Sequence, residues 1–214
     1  MLPNNLAELD ILDLEFWIKE IAGSNNAFYF ECKYTGGLEL QQIPYEYARL
    51  LDFIRKFNAK SYLNIGIGNA GSFITEAYIQ KKLKKIVAVD NTSYGNLTSI
   101  ERINDRINWL KQNVKADVVF HNMNSTEYLI KSVDEKFDLI FIDGDHSYEG
   151  VKSDYLLSLP LLNENGVMIF HDINSFQCEG VIRFWNEVKN ENCIEFVSGN
   201  KCGIGILPKN KLSS

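Results

Sequence analysis

Asp143, Asp145 and His146 fall within four residues of one another in FDLIFIDGDHSYEG (137–150), and a second polar pair, His171-Asp172, ends the apolar run of NGVMIFHDI (165–173). Carboxylates beside imidazoles suit proton removal, because histidine titrates near neutral pH and can act as a base without a large shift. They also suit a divalent cation, which would position a hydroxyl and lower its pKa. Asp143, His171 and Asp172 could reach one ion. Carboxylate oxygens favour Mg2+ or Mn2+, whereas an imidazole favours a softer ion or a second-shell role. His146 is read as a general base or as a group capping the following helix. Asp145 is read as turning the loop and capping that helix. Tyr148 is read as packing, and His121 as structural, with an adenine contact open to it.

The elements around these residues must place them together. Phe137, Leu139, Ile140, Phe141 and Ile142 form a short run apolar on both faces, which predicts a fully buried strand. In an open parallel sheet, ligands bind outside the carboxyl ends of the strands, where Asp143 would stand. Strands are also predicted at 61–65, 86–89, 118–120 and 167–170. Helices are predicted at 72–80, 126–131 and 180–189, and as apolar stripes through Leu97, Ile100, Ile103, Ile107 and Leu110, and through Val151, Tyr155, Leu159 and Leu162. The alternation implies parallel βαβ units in a doubly wound α/β sheet. Ile194–Val197 and Ile204–Leu207 read as a closing hairpin, so one of the last two strands runs antiparallel. Ahead of this, residues 1–60 read as a helical extension, with a helix over 10–21 and a second opened by Pro44. The domain proper is expected over 61–214. Phe28, Tyr29, Phe30 and Tyr34 could line an acceptor site or pack in the core.

LNIGIGNAGSF (63–73) places Gly66, Gly68 and Gly71 as GxGxxG after a strand and before a helix, and VAVD (87–90) ends the next strand in Asp90. Glycines allow a tight turn and close approach to a ligand, and a carboxylate at that second position can accept from ribose hydroxyls. Nicotinamide dinucleotides and S-adenosylmethionine share an adenosine ribose, so the loop alone does not choose between them.

Composition narrows the field. The 214-residue chain carries a formal charge of −6 and no large basic region, which argues against nucleic-acid binding. KKLKK (81–85) reads as a solvated helix end. There is no long apolar run and the start does not read as a signal peptide, so no membrane association is expected. The four cysteines show no metal-ligand spacing and read as free thiols of a cytoplasmic protein. Oligomeric state is left open, a homo-oligomer included.

Taken in order, YLNIGIGNAGSF (62–73), VAVD (87–90), FDLIFIDGDHSYEGVKSD (137–154), NGVMIFHDI (165–173) and GVIRFWNEV (180–188) resemble the class I S-adenosylmethionine-dependent methyltransferases. Within that superfamily the sequence is most similar to sugar O-methyltransferases of the macrocin and mycinose type. The resemblance covers about residue 62 to the end. It implies a mostly parallel seven-stranded Rossmann-like sheet with an antiparallel strand near one edge. It implies S-adenosylmethionine along Gly66, Gly68, Gly71 and Ser72, with Asn64 and Asp143 also beside it, Asp90 on the ribose and Asn124 and Ser125 near the adenine. Asn64 stands where the family usually has an acidic residue beside the cofactor's amino group. It further implies metal ligands at Asp143, His171 and Asp172, although the family often has a carboxylate at 171, and a general base at His146. The acceptor implied is a sugar hydroxyl or a small natural product. An NAD-dependent oxidoreductase and a non-catalytic binding subunit of the same fold remain alternative readings.

Overall fold

The computed structural model describes residues 2–20, 38–93 and 98–209. Seven strands form one sheet: β1 (Ser61–Ile65), β2 (Lys85–Asp90), β3 (Asp117–Asn122), β4 (Phe137–Ile142), β5 (Leu162–His171), β6 (Ile194–Phe196) and β7 (Ile204–Pro208). Their spatial order is β3-β2-β1-β4-β5-β7-β6. Neighbours from β3 to β5 pair in parallel, and β7 runs antiparallel to both β5 and β6. This is the doubly wound, mostly parallel methyltransferase-type sheet expected, with its reversal at the predicted hairpin.

Strand residues alternate between two cores. On one face, Tyr62, Ile86, Ala88, Leu139, Phe141 and Ile169 pack with apolar residues of α1 (Ile11–Glu20), α2 (Pro44–Phe57), α3 (Gly71–Ile79) and α4 (Ile100–Asn113). On the other, Leu63, Ile65, Val87, Ile140, Ile142 and Phe170 pack with α5 (Ser125–Lys131), α6 (Tyr148–Ser158) and α7 (Glu179–Val188). Covering both faces is what allows β4 to be apolar throughout.

Two expected boundaries are corrected. The helical stripe does not reach Leu162. α6 ends at Ser158, a short 3-10 turn over Leu159–Leu161 follows, and Leu162 opens β5. β5 therefore begins well before Val167. Phe137 pairs with Leu162 and Leu139 already with Val167, so β5 has three more residues than β4 between these pairs, accommodated as an irregularity. Asn165-Gly166 lies inside that irregularity rather than ahead of a strand. The other correction is at α6, whose cap is Ser147: its hydroxyl accepts from Gly150 N, while Asp145 Oδ1 accepts from Ser147 N and only turns the loop.

α2 has a second task. Glu46 is buried, and its carboxylate accepts from Ser198 N, Ser198 Oγ and Gly203 N at 2.5, 2.9 and 2.9 Å. The 198–203 segment in turn accepts from the backbone N–H groups of Ile173, Asn174 and Phe176. α2 thus steadies the loop that follows β5. Removing the Glu46 carboxylate strands buried donors, each costly. Glu46→Ala is expected to cost about 2–4 kcal/mol and to lower the melting temperature by ~5–15 °C, read by thermal unfolding. Glu46→Gln should lose less.

Candidate active site

The glycine loop and the acidic loop meet backbone to backbone. Ile65 O accepts from Asp143 N at 2.9 Å, and Val89 O accepts from Gly66 N at 2.9 Å. Gly66 has φ +82°, and a Cβ there would lie 2.0 Å from the Asp143 carbonyl oxygen and 2.8 Å from Gly144 Cα. Only glycine allows both the left-handed conformation and this approach. Gly68, at φ +50°, has no atom of the described residues within 4 Å of where a Cβ would sit. Gly71 is different: a Cβ there would strike the Leu38 carbonyl oxygen at 1.7 Å, so its smallness serves helix packing.

Beside Gly66, at the carboxyl end of β4 and β5, two carboxylates and two imidazoles alternate around a ring. His171 Nδ1 lies 3.2 Å from Asp143 Oδ1 and 3.5 Å from Asp172 Oδ2. His146 Nε2 lies 3.5 Å from Asp143 Oδ1 and 3.6 Å from Asp172 Oδ2. His171 and Asp172 are each 5% exposed at the side chain, Asp143 21% and His146 34%, so the ring opens to solvent on the His146 side. Asp172 reaches it from a left-handed backbone, φ +61°, a conformation that costs a non-glycine residue of order 1 kcal/mol or more. Each imidazole also has a thiol nearby. Cys178 Sγ is 3.2 Å from His146 Nδ1 and 3.4 Å from Asp172 Oδ2, and Cys202 stands beside His171.

The alternation of sign sets the charges. Burial pushes the Asp143 carboxyl up, but His171 and His146 outweigh it and hold the group well below the usual carboxylate range. The contact with Asp143, helped by Cys178 and opposed by burial, raises His146 to about 11. Burial works against charge on His171, yet the two carboxylates carry its pKa well above the ordinary value.

A buried polar group lies on the α1–α4 face of the sheet, where Asn64 and Glu76 meet. Asn64 Nδ2 donates to Tyr62 Oη (2.7 Å) and Glu76 Oε2 (3.1 Å), and Tyr62 Oη donates to Glu76 Oε2 at 2.5 Å. Burial pushes the Glu76 carboxyl up to about 7. Glu76, on α3, is thus bonded to the Asn64 amide of β1. Asp90 Oδ2 accepts from Ile67 N and Gly68 N at 2.8 and 3.0 Å, and Oδ1 from Thr92 N at 2.6 Å. It stiffens the glycine loop and keeps acceptor capacity for a further donor. Ser72 O accepts from Tyr47 Oη. Asn124 caps α5 by accepting from Thr126 N, and Ser125 Oγ donates to Asp154. His121 stacks at 4.8 Å on Tyr128, and Tyr148 lies edge-on to Phe184, both in packing roles. Phe28, Tyr29, Phe30 and Tyr34 lie outside the described residues.

Cys178 and Glu76 were not singled out from sequence. Glu76 had a signal, a lone carboxylate in the otherwise apolar helix GSFITEAYI. Cys178 had none, because its partners are 6 and 32 residues away.

As a cradle for a hard Mg2+ or Mn2+ ion, the ring does not fit. An imidazole nitrogen stands between the two carboxylates on each path around it. Among the described residues the donor triplets that converge are His146, Asp172 and Cys178, and His171, Asp172 and Cys202. Each offers one carboxylate with a nitrogen and a sulfur, a set for softer ions. Asp172 Oδ1 and His171 Nε2 are buried without a hydrogen-bond partner and belong to that second group of residues.

Comparison with known proteins agrees with this architecture. A family model described as a methyltransferase domain matches residues 63–173. Uncharacterized protein R132 of Acanthamoeba polyphaga mimivirus is 25% identical over 123 residues, 55% of this chain and 53% of that protein, so the chain spans about half the length of the curated relative it matches. The O-methyltransferase TomG from Streptomyces achromogenes, involved in tomaymycin synthesis and solved in complex with SAM, superposes with TM-score 0.61 at 16% identity over 97% of this chain and 99% of its own. An O-methyltransferase from Bacillus cereus, solved with SAH, gives TM-score 0.56 at 16% identity over 98% and 92%. At such identities the likeness to solved structures is one of fold.

Two outcomes follow for stability. Gly66→Ala combines a left-handed φ with a backbone clash and should cost about 2–5 kcal/mol, read by denaturant unfolding, with Gly68→Ala costing much less. The pH dependence follows from the ring. His146 is raised from 6.5 to about 11, so its contribution is fully present below pH 6.5 and is lost as pH rises through about 11. Asp143 is lowered, so its contribution holds above the ordinary carboxylate pKa and is lost only as pH falls below it. Unfolding midpoints measured against pH should fall on the alkaline side, and His146→Gln should flatten that fall.

Proposed function

The chain belongs to a methyltransferase-domain family, and we propose that it transfers the methyl group of S-adenosylmethionine to a hydroxyl of a sugar or small natural product. The observation that carries the reading is the contact of Gly66 with Asp143: it joins a glycine loop open at Gly68 to a ring of proton-handling groups open at His146. The fold likeness to TomG and to the Bacillus cereus enzyme, solved with SAM and SAH, supports the choice of donor.

In this reading Gly66, Gly68 and Ser72 would hold the donor, Asp90 would accept from its ribose hydroxyls, and Asn124 would stand near its adenine. Gly71 acts by letting α3 close on Leu38, and Asn64 by tying β1 to Glu76. His146 takes the proton from the acceptor hydroxyl at Nε2, the nitrogen that faces Asp143 and Asp172. Asp143 and Asp172 steady the imidazolium that forms, and Cys178 fixes the ring by its Nδ1. An imidazole already protonated cannot accept a proton. Near neutral pH the pair with Asp143 keeps His146 charged, so transfer requires its deprotonated fraction. A cationic sulfonium alongside opposes the imidazolium and enlarges that fraction.

In this reading no step uses a hard metal ion, since the converging donors are mixed nitrogen, sulfur and oxygen. The sheet is compatible with a nicotinamide cofactor as well, and calorimetry separates the readings. S-adenosylmethionine and S-adenosylhomocysteine should bind, and binding of NAD to the exclusion of both would refute the proposal. Once an acceptor is identified, kcat/KM should climb from neutral into alkaline pH. His146→Ala should lower kcat by roughly 10²–10⁴-fold while leaving S-adenosylhomocysteine affinity within a few-fold, and unaltered kcat in that variant would remove His146 from the mechanism.

A further inference from the structure

Asp143 and Asp172 leave the ends of neighbouring strands β4 and β5 and approach the same buried point. Two carboxylates facing one site repel unless something positive or hydrogen-donating stands between them. A divalent ion is one way to meet that need. Here the place is filled by a side chain of the chain itself. His171 is the last residue of β5, on the same face as Phe141, whose ring centroid lies 6.4 Å from its own. Its Nδ1 is within 3.2 Å of one carboxylate and 3.5 Å of the other. The side chain is 5% exposed, held below by Phe141 and flanked by Cys202, itself buried. The segment carrying Cys202 is clamped to the loop after β5, since Asn174 N donates to Cys202 O at 2.8 Å and Ile173 N to Gly203 O at 3.2 Å. The imidazole is therefore fixed in the bridging position.

We infer that His171 stands in the place of a divalent cation, its Nδ1–H drawing Asp143 and Asp172 together, so that this methyltransferase site is organised by a protein side chain instead of Mg2+ or Mn2+. His171 is then a positioning residue: it sets the two carboxylates against which His146 works. The inference rests on the methyltransferase reading of the site. A bridging donor needs a nitrogen at the Nδ1 position, which an asparagine amide can supply. An aspartate at 171 would instead add a third carboxylate to the pair, making an oxygen site of the kind hard ions prefer.

The test uses the full-length chain and Mn2+ as the probe, followed by electron paramagnetic resonance and calorimetry. Wild type and His171→Asn should show no saturable Mn2+ site. His171→Asp should gain one, with affinity at least about tenfold above wild type, and should lose it again on a second change, Asp143→Asn. Thermal unfolding verifies that each variant folds, and His171→Glu is the alternative where His171→Asp does not. A saturable Mn2+ site in wild type that disappears in Asp143→Asn overturns the inference. So does a failure of both folded carboxylate variants to bind Mn2+. A Co2+ complex of wild type with a sulfur-to-metal charge-transfer band, lost in Cys178→Ser or Cys202→Ser, overturns it too, in favour of a softer ion. S-adenosylhomocysteine binding, measured on the same samples without metal, reports on the donor reading separately, so a failure of one is not mistaken for a failure of the other.

Discussion

The contact between Gly66 and the Asp143 carbonyl is the constraint on which the site depends. Parallel pairing of β1 with β4 continues one step past the strands, through Asp143 N to Ile65 O, and brings two loops within van der Waals contact. One loop is open at Gly68, the other carries Asp143 and leads to His146. A side chain at position 66 would force them apart and separate Gly68 from Asp143 and His146.

Electrostatics then shape what the second loop can do. The ring of Asp143, His171, Asp172 and His146 alternates in sign, so each member is stabilised by two neighbours. The buried half, His171 and Asp172, is shielded from water, and the other half, His146 and Asp143, is open to it. A strained backbone at Asp172 and a buried carboxylate at Glu76 are costs the fold carries near this edge, and both are held by dense apolar packing on the two faces of the sheet. No helix among the described residues is long and apolar enough to cross a membrane.

Much of this was legible in the chain itself. β1 and β4 were bounded correctly by apolar runs ending in Gly66 and Asp143, and α2 by Pro44 and its apolar stripe. The hairpin of β6 and β7 followed from two short apolar runs about a polar turn. The end of α6 was not legible, because Leu159 and Leu162 continue its apolar period while the chain has already entered β5. Nor was the cap at Ser147, since Asp145 and Ser147 are both good caps and only the turn geometry chooses.

Sequence alone determined which residue types end the strands and in what order: glycines after β1, Asp90 at the end of β2, Asp143 after β4, His171-Asp172 at the end of β5. That follows from local pattern, since buried strands must be apolar and must stop where polar groups begin. Tertiary structure decided which of those groups meet. The pairing of β4 with β5 set His171 between two carboxylates, the turn after β5 brought Cys178 to His146, and α3 lowered Glu76 onto Asn64. Such meetings depend on register and on the angles at which helices cross the sheet. These are global properties of packing, and no spacing along the chain encodes them.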